Sequence, residues 1–343
     1  MRTFILYILL LLFAAACNAT EAMPSVTVAR EAPEASATPE ASQPVDEPEE
    51  DESEYKDESE SEDILPFEFQ AAASATATPA PTETPIPTPT ERPMYKPDPG
   101  GMTVKDRFPA PDGFTRETPD EGSFEEFLQN LPLKPHGSKV MIFDKSEKAR
   151  DVHAAVVDFI LGDRDLQQCA DAVMRLRAEY LFETGQAEKI GFHFVNGFYA
   201  SFEKWSDGYG IKVSGNDASW VANSRNNKTY ESLQQYLDIV YSYASTLSLD
   251  KELMVKPSSE VSIGDVFIRP GSPGHCVIVA DKAVSKVGDA VFLIAQSFMP
   301  AQDIHILKCP QNDDGSPWYS SNFGETLVTP DWSFAREELK SWP

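Results

Sequence analysis

The sequence predicts a single α+β domain, helices packed on a mostly antiparallel sheet, preceded by a long disordered tether. Three observations lead there. Acid and proline are concentrated before residue 104, and apolar periodicity after it. The C-terminal part opens with helical spacing and ends in a series of short apolar runs. The turns between those runs are too short to hold crossover helices, which favours antiparallel pairing. Residues 104–343, about 240 in number, suffice for one large core. No internal repeat or second linker divides them.

The 343 residues include 55 acidic and 29 basic side chains, for a formal charge of −26. A nucleic-acid binder needs the opposite balance to displace counterions, so no nucleic-acid partner is expected. Four cysteines in a chain of this length exclude a disulfide-dense mini-protein. One long apolar run, at the N-terminus, excludes a polytopic membrane protein.

That run has the form of an export signal over residues 1–16. Met1-Arg2-Thr3 is basic, Phe4 to Phe13 is apolar, and Ala14-Ala15-Ala16 precedes Cys17. A cysteine after such small residues resembles the bacterial lipobox. The resemblance implies cleavage before Cys17 and acylation of its thiol. The expected location is the extracytoplasmic face of the cell membrane, held by acyl chains worth ~0.8 kcal/mol per buried methylene.

Residues 17–103 read as the tether. From Asn18 to Gly100 there are 20 acidic residues, 4 basic residues and 14 prolines, so most of the net charge belongs to this segment. Too few apolar residues are present to offset ordering entropy. Ile64-Leu65-Pro66-Phe67-Glu68-Phe69 is one apolar island, read first as a chance cluster and second as a docking peptide. A tether of this length reaches on the order of 50 Å.

Within the head, Phe108 to Phe114 reads as a loop. Ser123 and Glu126 form a capping box that starts a helix. Lys139 to Asp144 and Val152 to Ile160 are expected strands, the second central because it is almost wholly apolar. Leu166 to Glu183 is expected to be a helix capped by Asp165, and Ile190 to Val195 a strand. Tyr230 to Leu253 reads as one long helix, with Leu233, Tyr236, Leu237, Val240, Ala244 and Leu247 on one face. Asp265 to Ile268, His275 to Asp281, Val291 to Gln296 and Ile304 to Leu307 complete the strands.

Two of these segments carry candidate chemistry. Cys169 falls in the first turn of its helix, where backbone N–H groups and the helix dipole favour a thiolate. His275 opens an apolar strand after Pro270-Gly271-Ser272-Pro273-Gly274, whose glycines permit close backbone approach. A thiol at a helix start and an imidazole at a strand start can meet as nucleophile and base. Gln296, near the end of the next apolar strand, is the candidate to orient the imidazole. The backbone N–H of Cys169 and the side chain of Gln168 are candidates for holding an oxyanion.

The order Gln168-Cys169, Gly264-Asp265, Gly274-His275 and Gln296 resembles papain-like cysteine hydrolases, especially cell-wall amidases and endopeptidases of the NlpC/P60 and CHAP type. The resemblance implies a papain-like head that cleaves amide bonds of the envelope, peptidoglycan among them. A closer likeness covers most of the head. Leu166 to Ala172 running into Arg175 to Leu181, Gly264 to Ile268, Pro273-Gly274-His275, Ala295 to Gln302 with Ile304 to Leu307, and Ser316 to Tyr319 together resemble a bacterial lipoprotein family known only as domain of unknown function 4846. That likeness implies membership and no activity.

Other assignments stay open at this level. His305 is an alternative orienting group, though a structural role has the better claim. His153 and His193 read as packing. Cys169, His275 and His305 could supply three metal ligands, but no CxxC or HExxH spacing supports a metal and no cofactor is expected. Arg175, Arg177, Asp171 and Glu179 read first as solvated ion pairs and second, if buried, as a site for an anionic substrate. Cys276 and Cys309 could pair as a disulfide, and Cys276 should face the opposite side of its strand from His275. The competing function is a non-catalytic envelope-binding lipoprotein whose Trp205, Trp220, Trp318, Tyr319 and Trp332 line a glycan groove.

Overall fold

Apolar runs that alternate little and sit close together in sequence become the frame of the molecule. The structure, a computed structural model, describes residues 94–343. The signal peptide, Cys17 and the tether up to residue 93 lie outside the described residues. Nine strands form one sheet: β1 (Phe114–Arg116), β2 (His153–Val156), β3 (Met254–Val255), β4 (Val266–Arg269), β5 (His275–Ser285), β6 (Ala290–Gln296), β7 (His305–Leu307), β8 (Tyr319–Ser320) and β9 (Leu339–Ser341). Their order is β2-β7-β6-β5-β4-β9-β3, with β1 added on β5 and β8 on β6, and every pairing is antiparallel. The α+β class with an antiparallel sheet is therefore as expected. Among the described residues no helix is long and apolar enough to cross a membrane.

Strand β5 is the spine. Its first seven residues are all buried, as in a strand covered on both faces. One face, through Cys276, Ile278 and Ala280, meets the helices α1 (Phe124–Gln129), α2 (Cys169–Glu183), α3 (Tyr230–Tyr243) and α4 (Thr246–Glu252). The other, through Val277 and Val279, meets Phe292, Tyr319, Leu327 and Phe334. A bulge shifts the β5–β6 register, so that Leu293 pairs with Asp281 but Ile294 with Val279. The extra residue turns Asp281 toward α1, where Arg116 Nε donates to it at 2.8 Å and Gln129 Nε2 at 2.8 Å.

Several expected elements are corrected. The apolar run Val152 to Ile160 is not a central strand. Only His153–Val156 pairs, at the sheet edge, and Ile160 is 86% exposed. The run is apolar because the segment around Leu133 covers that edge, with Lys134 N donating to Val156 O at 2.8 Å. Lys139 to Asp144 is a bridged turn, since Asp144 accepts from Ser146 N at 2.9 Å and Lys145 takes a positive φ of 69°. The long helix over Tyr230 to Leu253 breaks in two at Ala244-Ser245. Ser245 accepts from Leu247 N at 3.1 Å and its own N–H bonds Ser248 Oγ at 3.0 Å, so local capping displaces the helical ladder. Leu247 is consequently 41% exposed.

Two boundaries also move. Residues 94–103, expected in the tether, pack on the head. Tyr95 N donates to Asp314 O at 2.9 Å and Tyr95 Oη to Pro109 O at 2.7 Å. Helix α2 begins at Cys169 rather than Leu166, with Gln168 as its N-cap. Ser123 caps α1 as expected, accepting from Glu126 N at 3.1 Å.

The Asp281 cluster joins β1, α1 and the spine through one nearly inaccessible carboxylate. Asp281→Ala leaves Arg116 and Gln129 without their acceptor and should lower stability by about 2 kcal/mol, less than a fully buried pair because Arg116 is partly solvated. A denaturant midpoint equal to that of the parent protein would contradict this account.

Candidate active site

The start of α2 is seated on the end of the sheet by two contacts from the loop after β6, itself braced by a third. Ala301 N donates to Asp165 Oδ1 at 2.7 Å, and the Ser297 hydroxyl lies 3.2 Å from Gln167 O and 2.8 Å from Gln302 O. From within the helix, Arg175 Nη1 donates to Ile160 O at 2.9 Å and also holds the Gln167 side chain. Arg175 and Glu179, expected as a solvated pair, are instead a buried pair at 3.2 Å. Glu179 takes a further bond from Tyr230 Oη at 2.8 Å, which gives the pair the extra partners that burial demands. Arg177 lies over the rings of Phe124, Tyr180 and Trp342. These contacts fix where the first residue of the helix, Cys169, must sit.

His275 reaches the same place from the sheet. Gly274 lets it do so: a Cβ there would lie 2.6 Å from both Gly271 O and Thr246 Oγ1, so only glycine fits. The imidazole is fully buried, with ring centroids 4.9 Å from Phe298, 5.5 Å from Trp332 and 5.9 Å from Phe334. Its Nε2 lies 2.9 Å from Gln296 Oε1.

The proton positions follow from the surrounding network. Gln296 Nε2 donates to Asp331 Oδ2 at 2.9 Å and lies 3.3 Å from His305 Nε2. His305 Nδ1 donates to Asp303 O at 2.8 Å, so its Nε2 is an acceptor. The Gln296 amide thus has both N–H groups engaged, and its oxygen must face His275. His275 therefore carries its proton on Nε2. Its Nδ1 is left as a lone pair, buried and without a hydrogen-bond partner. Burial holds His305 down to about 3, so it stays neutral in this relay.

Cys169 stands near that ring, close enough for His275 to act on its thiol. Its thiol is held down to about 4, chiefly by the neighbouring Cys276 thiol; burial opposes this, and the nearby His275 reinforces it. Cys276 does face the opposite side of its strand from His275, and that side is the one α2 covers. Burial pushes its own thiol well up, so it stays protonated and donates. Cys309 is a free thiol in the other core, and no Cys276–Cys309 disulfide forms.

His275 and Gln296 are hydrogen-bonded, and Cys169 stands near His275. Gln168 lines the cleft; its Nε2 donates one N–H to Asp165 Oδ1 at 3.0 Å, which leaves the second N–H for a ligand. The backbone N–H of Cys169 remains, at a helix position with no intrahelical acceptor. The five aromatic residues do not form one groove. Trp205, Trp318 and Tyr319 are buried, and they divide between the two cores with Trp220 and Trp332.

A cleft of about 210 Å³ opens onto Cys169. Its walls are the start of α2, the break between α3 and α4, and the turn Gly271 to Gly274. Residues absent from the sequence reading of the site complete it. Asp331 is buried and holds Gln296 while pairing with Lys148 at 3.3 Å and Arg150 at 2.5 Å. Ser297 secures the loop before α2. Neither carries a local signal, because each acts on a partner more than 30 residues away.

Family comparison adds membership. A family model described as Domain of unknown function (4846) matches residues 104–341. The chain belongs to that family. The matched span takes in Cys169, His275, Gln296 and Asp331 alike. No curated protein and no solved structure matches the chain.

The thiol environment sets a pH profile. With Cys169 titrating near 4 and Cys309 near 11, iodoacetamide should modify Cys169 at an almost pH-independent rate from pH 6 to 8 and leave Cys309 untouched. Peptide mass spectrometry resolves the sites. A Cys169 rate climbing about tenfold per pH unit over that range would mean an ordinary thiol.

Proposed function

We propose that residues 104–343 form a papain-like cysteine hydrolase that cleaves amide bonds of cell-envelope material such as peptidoglycan, presented outside the cell membrane by a lipid on Cys17. One observation carries the reading. A depressed thiol at a helix start stands near an imidazole whose tautomer is fixed by Gln296 and whose other nitrogen is buried without a partner. Packing alone accounts for a buried cysteine or a buried histidine. An orphaned ring nitrogen near a cleft-lining sulfur is a further feature, which packing does not call for.

The chemistry follows from those atoms. The Cys169 thiolate attacks the amide carbon, a C–S bond forms, and the carbonyl electrons move to oxygen. The backbone N–H of Cys169 faces the developing charge. His275, protonated on Nδ1 with the proton that left the thiol, donates it to the amine nitrogen as the C–N bond breaks. Water then attacks the thioester, giving a proton back to Nδ1; the acid leaves and the thiol is restored. Throughout, Nε2–H stays on Gln296, and Asp331 and His305 keep that amide from rotating. The outward tether and acidic composition suit a head working on a neighbouring surface at a distance from its anchor.

Incubation of the full chain with purified peptidoglycan should release new amine ends. Cys169→Ala should abolish release without changing the thermal midpoint, and Gln296→Ala should slow it ~10²-fold, the scale of a mispositioned general base. Equal release by Cys169→Ala would end the proposal.

A further inference from the structure

The cleft beside Cys169 holds two polar atoms that nothing in the protein satisfies. Asp171 lies two residues into α2 from Cys169 and is 6% exposed. Its Oδ2 accepts from Gln168 N at 2.9 Å, and its Oδ1 is buried without a partner. Across the cleft, at the end of α3, the Tyr241 hydroxyl is also buried without a partner. Both side chains line the same cavity as Cys169. Leaving such atoms unpaired is costly to a folded protein, so two in one cleft point to a ligand that pairs them.

The charges of the cleft name the ligand's sign. Its lining contains Asp165 and Asp171 and no Lys, Arg or His. The nearby guanidinium, Arg175, is already paired with Glu179. Burial drives the Asp171 carboxyl well up, and no cation offsets it. A carboxylate in that position gains most from a group that brings both positive charge and several N–H donors. An anionic substrate group would find no cation in the lining.

We propose that Asp171 and Tyr241 form a specificity subsite for a primary ammonium group of the substrate, bound beside the bond that Cys169 attacks. The ammonium gives one N–H to Asp171 Oδ1 and another to Tyr241 Oη. The ligand class is then an amine-bearing peptide or amino-acid residue, with its amine free rather than acylated. Naming this ligand as substrate rests on the hydrolase reading above; the subsite itself rests only on the cleft.

Matched thiosulfonates test the subsite without any hydrolysis. In each, the Cys169 thiolate attacks the reagent sulfur, a disulfide forms and methanesulfinate leaves. Rates at Cys169 of the full chain are compared for 2-aminoethyl, ethyl and 2-hydroxyethyl methanethiosulfonate, in 0.5 M potassium chloride to screen the exposed Asp165. The aminoethyl reagent should react at least tenfold faster than the ethyl one. Asp171→Asn, which keeps an acceptor for Gln168 N, should bring that ratio near one, and Tyr241→Phe should lower it several-fold. Because both reagents meet the same sulfur, changes in its reactivity cancel in the ratio.

A ratio near one in the parent protein, or one that survives Asp171→Asn, overturns the proposal. So does a fastest reaction with the hydroxyethyl reagent, which would make the subsite a partner for neutral groups. An intact ratio without peptidoglycan cleavage faults the hydrolase reading and leaves the subsite standing; cleavage with a ratio of one does the reverse.

Discussion

The hydrogen bond between His275 and Gln296 constrains every polar group around it. With the Gln296 oxygen turned to His275 Nε2, its two N–H groups must go elsewhere, and Asp331 and His305 take them. With Nε2 protonated, Nδ1 is a base by elimination. The charges of Lys148 and Arg150 then serve a purpose two residues removed, since they neutralise the buried Asp331 that holds the amide. None of these groups would be tolerated singly in so apolar a place. Together they form a network satisfied at every member but His275 Nδ1.

The thiols show how competing magnitudes are resolved at one site. Burial raises the pKa of a thiol, and all three described cysteines are buried. For Cys276 and Cys309 burial wins. For Cys169 it loses, because the same desolvation that penalises the thiolate strengthens the hydrogen bonds it accepts. The Cys276 thiol, unremarkable as a core residue, is the largest of those stabilising contacts. A neighbour one residue along the strand from His275 therefore approaches the sulfur from the other side of the same backbone.

How much of this was legible in the sequence divides by distance. Short strands over Asp265 to Leu307 were readable because their alternation and Gly/Pro turns are local. Cys169, His275 and Gln296 were readable because each sits at a marked position: a helix start, a strand start after glycine, a strand end. The run Val152 to Ile160 misled, since apolar character cannot distinguish a central strand from an edge covered by a loop. The split of the helix over Tyr230 to Leu253 hid in Ser245, a capping residue with no glycine or proline to announce it. Asp331, Asp171 and Tyr241 were unreadable as site residues for a common reason. Their meaning lies in which partners they have or lack, and partners are set by tertiary packing.

The bulge in β5 has a consequence for the site some distance along the strand. Facing residues of an antiparallel pair share a side of the sheet, and the offset between Leu293 and Ile294 aligns Ala295 with Ile278. Continuing that alignment sets Gln296 opposite Val277, on the same side as His275. In an unbroken ladder Gln296 would stand opposite Ile278, among the helix-facing residues, and the imidazole would have an aliphatic neighbour instead of an amide. A single inserted residue, several positions past His275 along its strand, acts as a parity switch for the His275–Gln296 hydrogen bond.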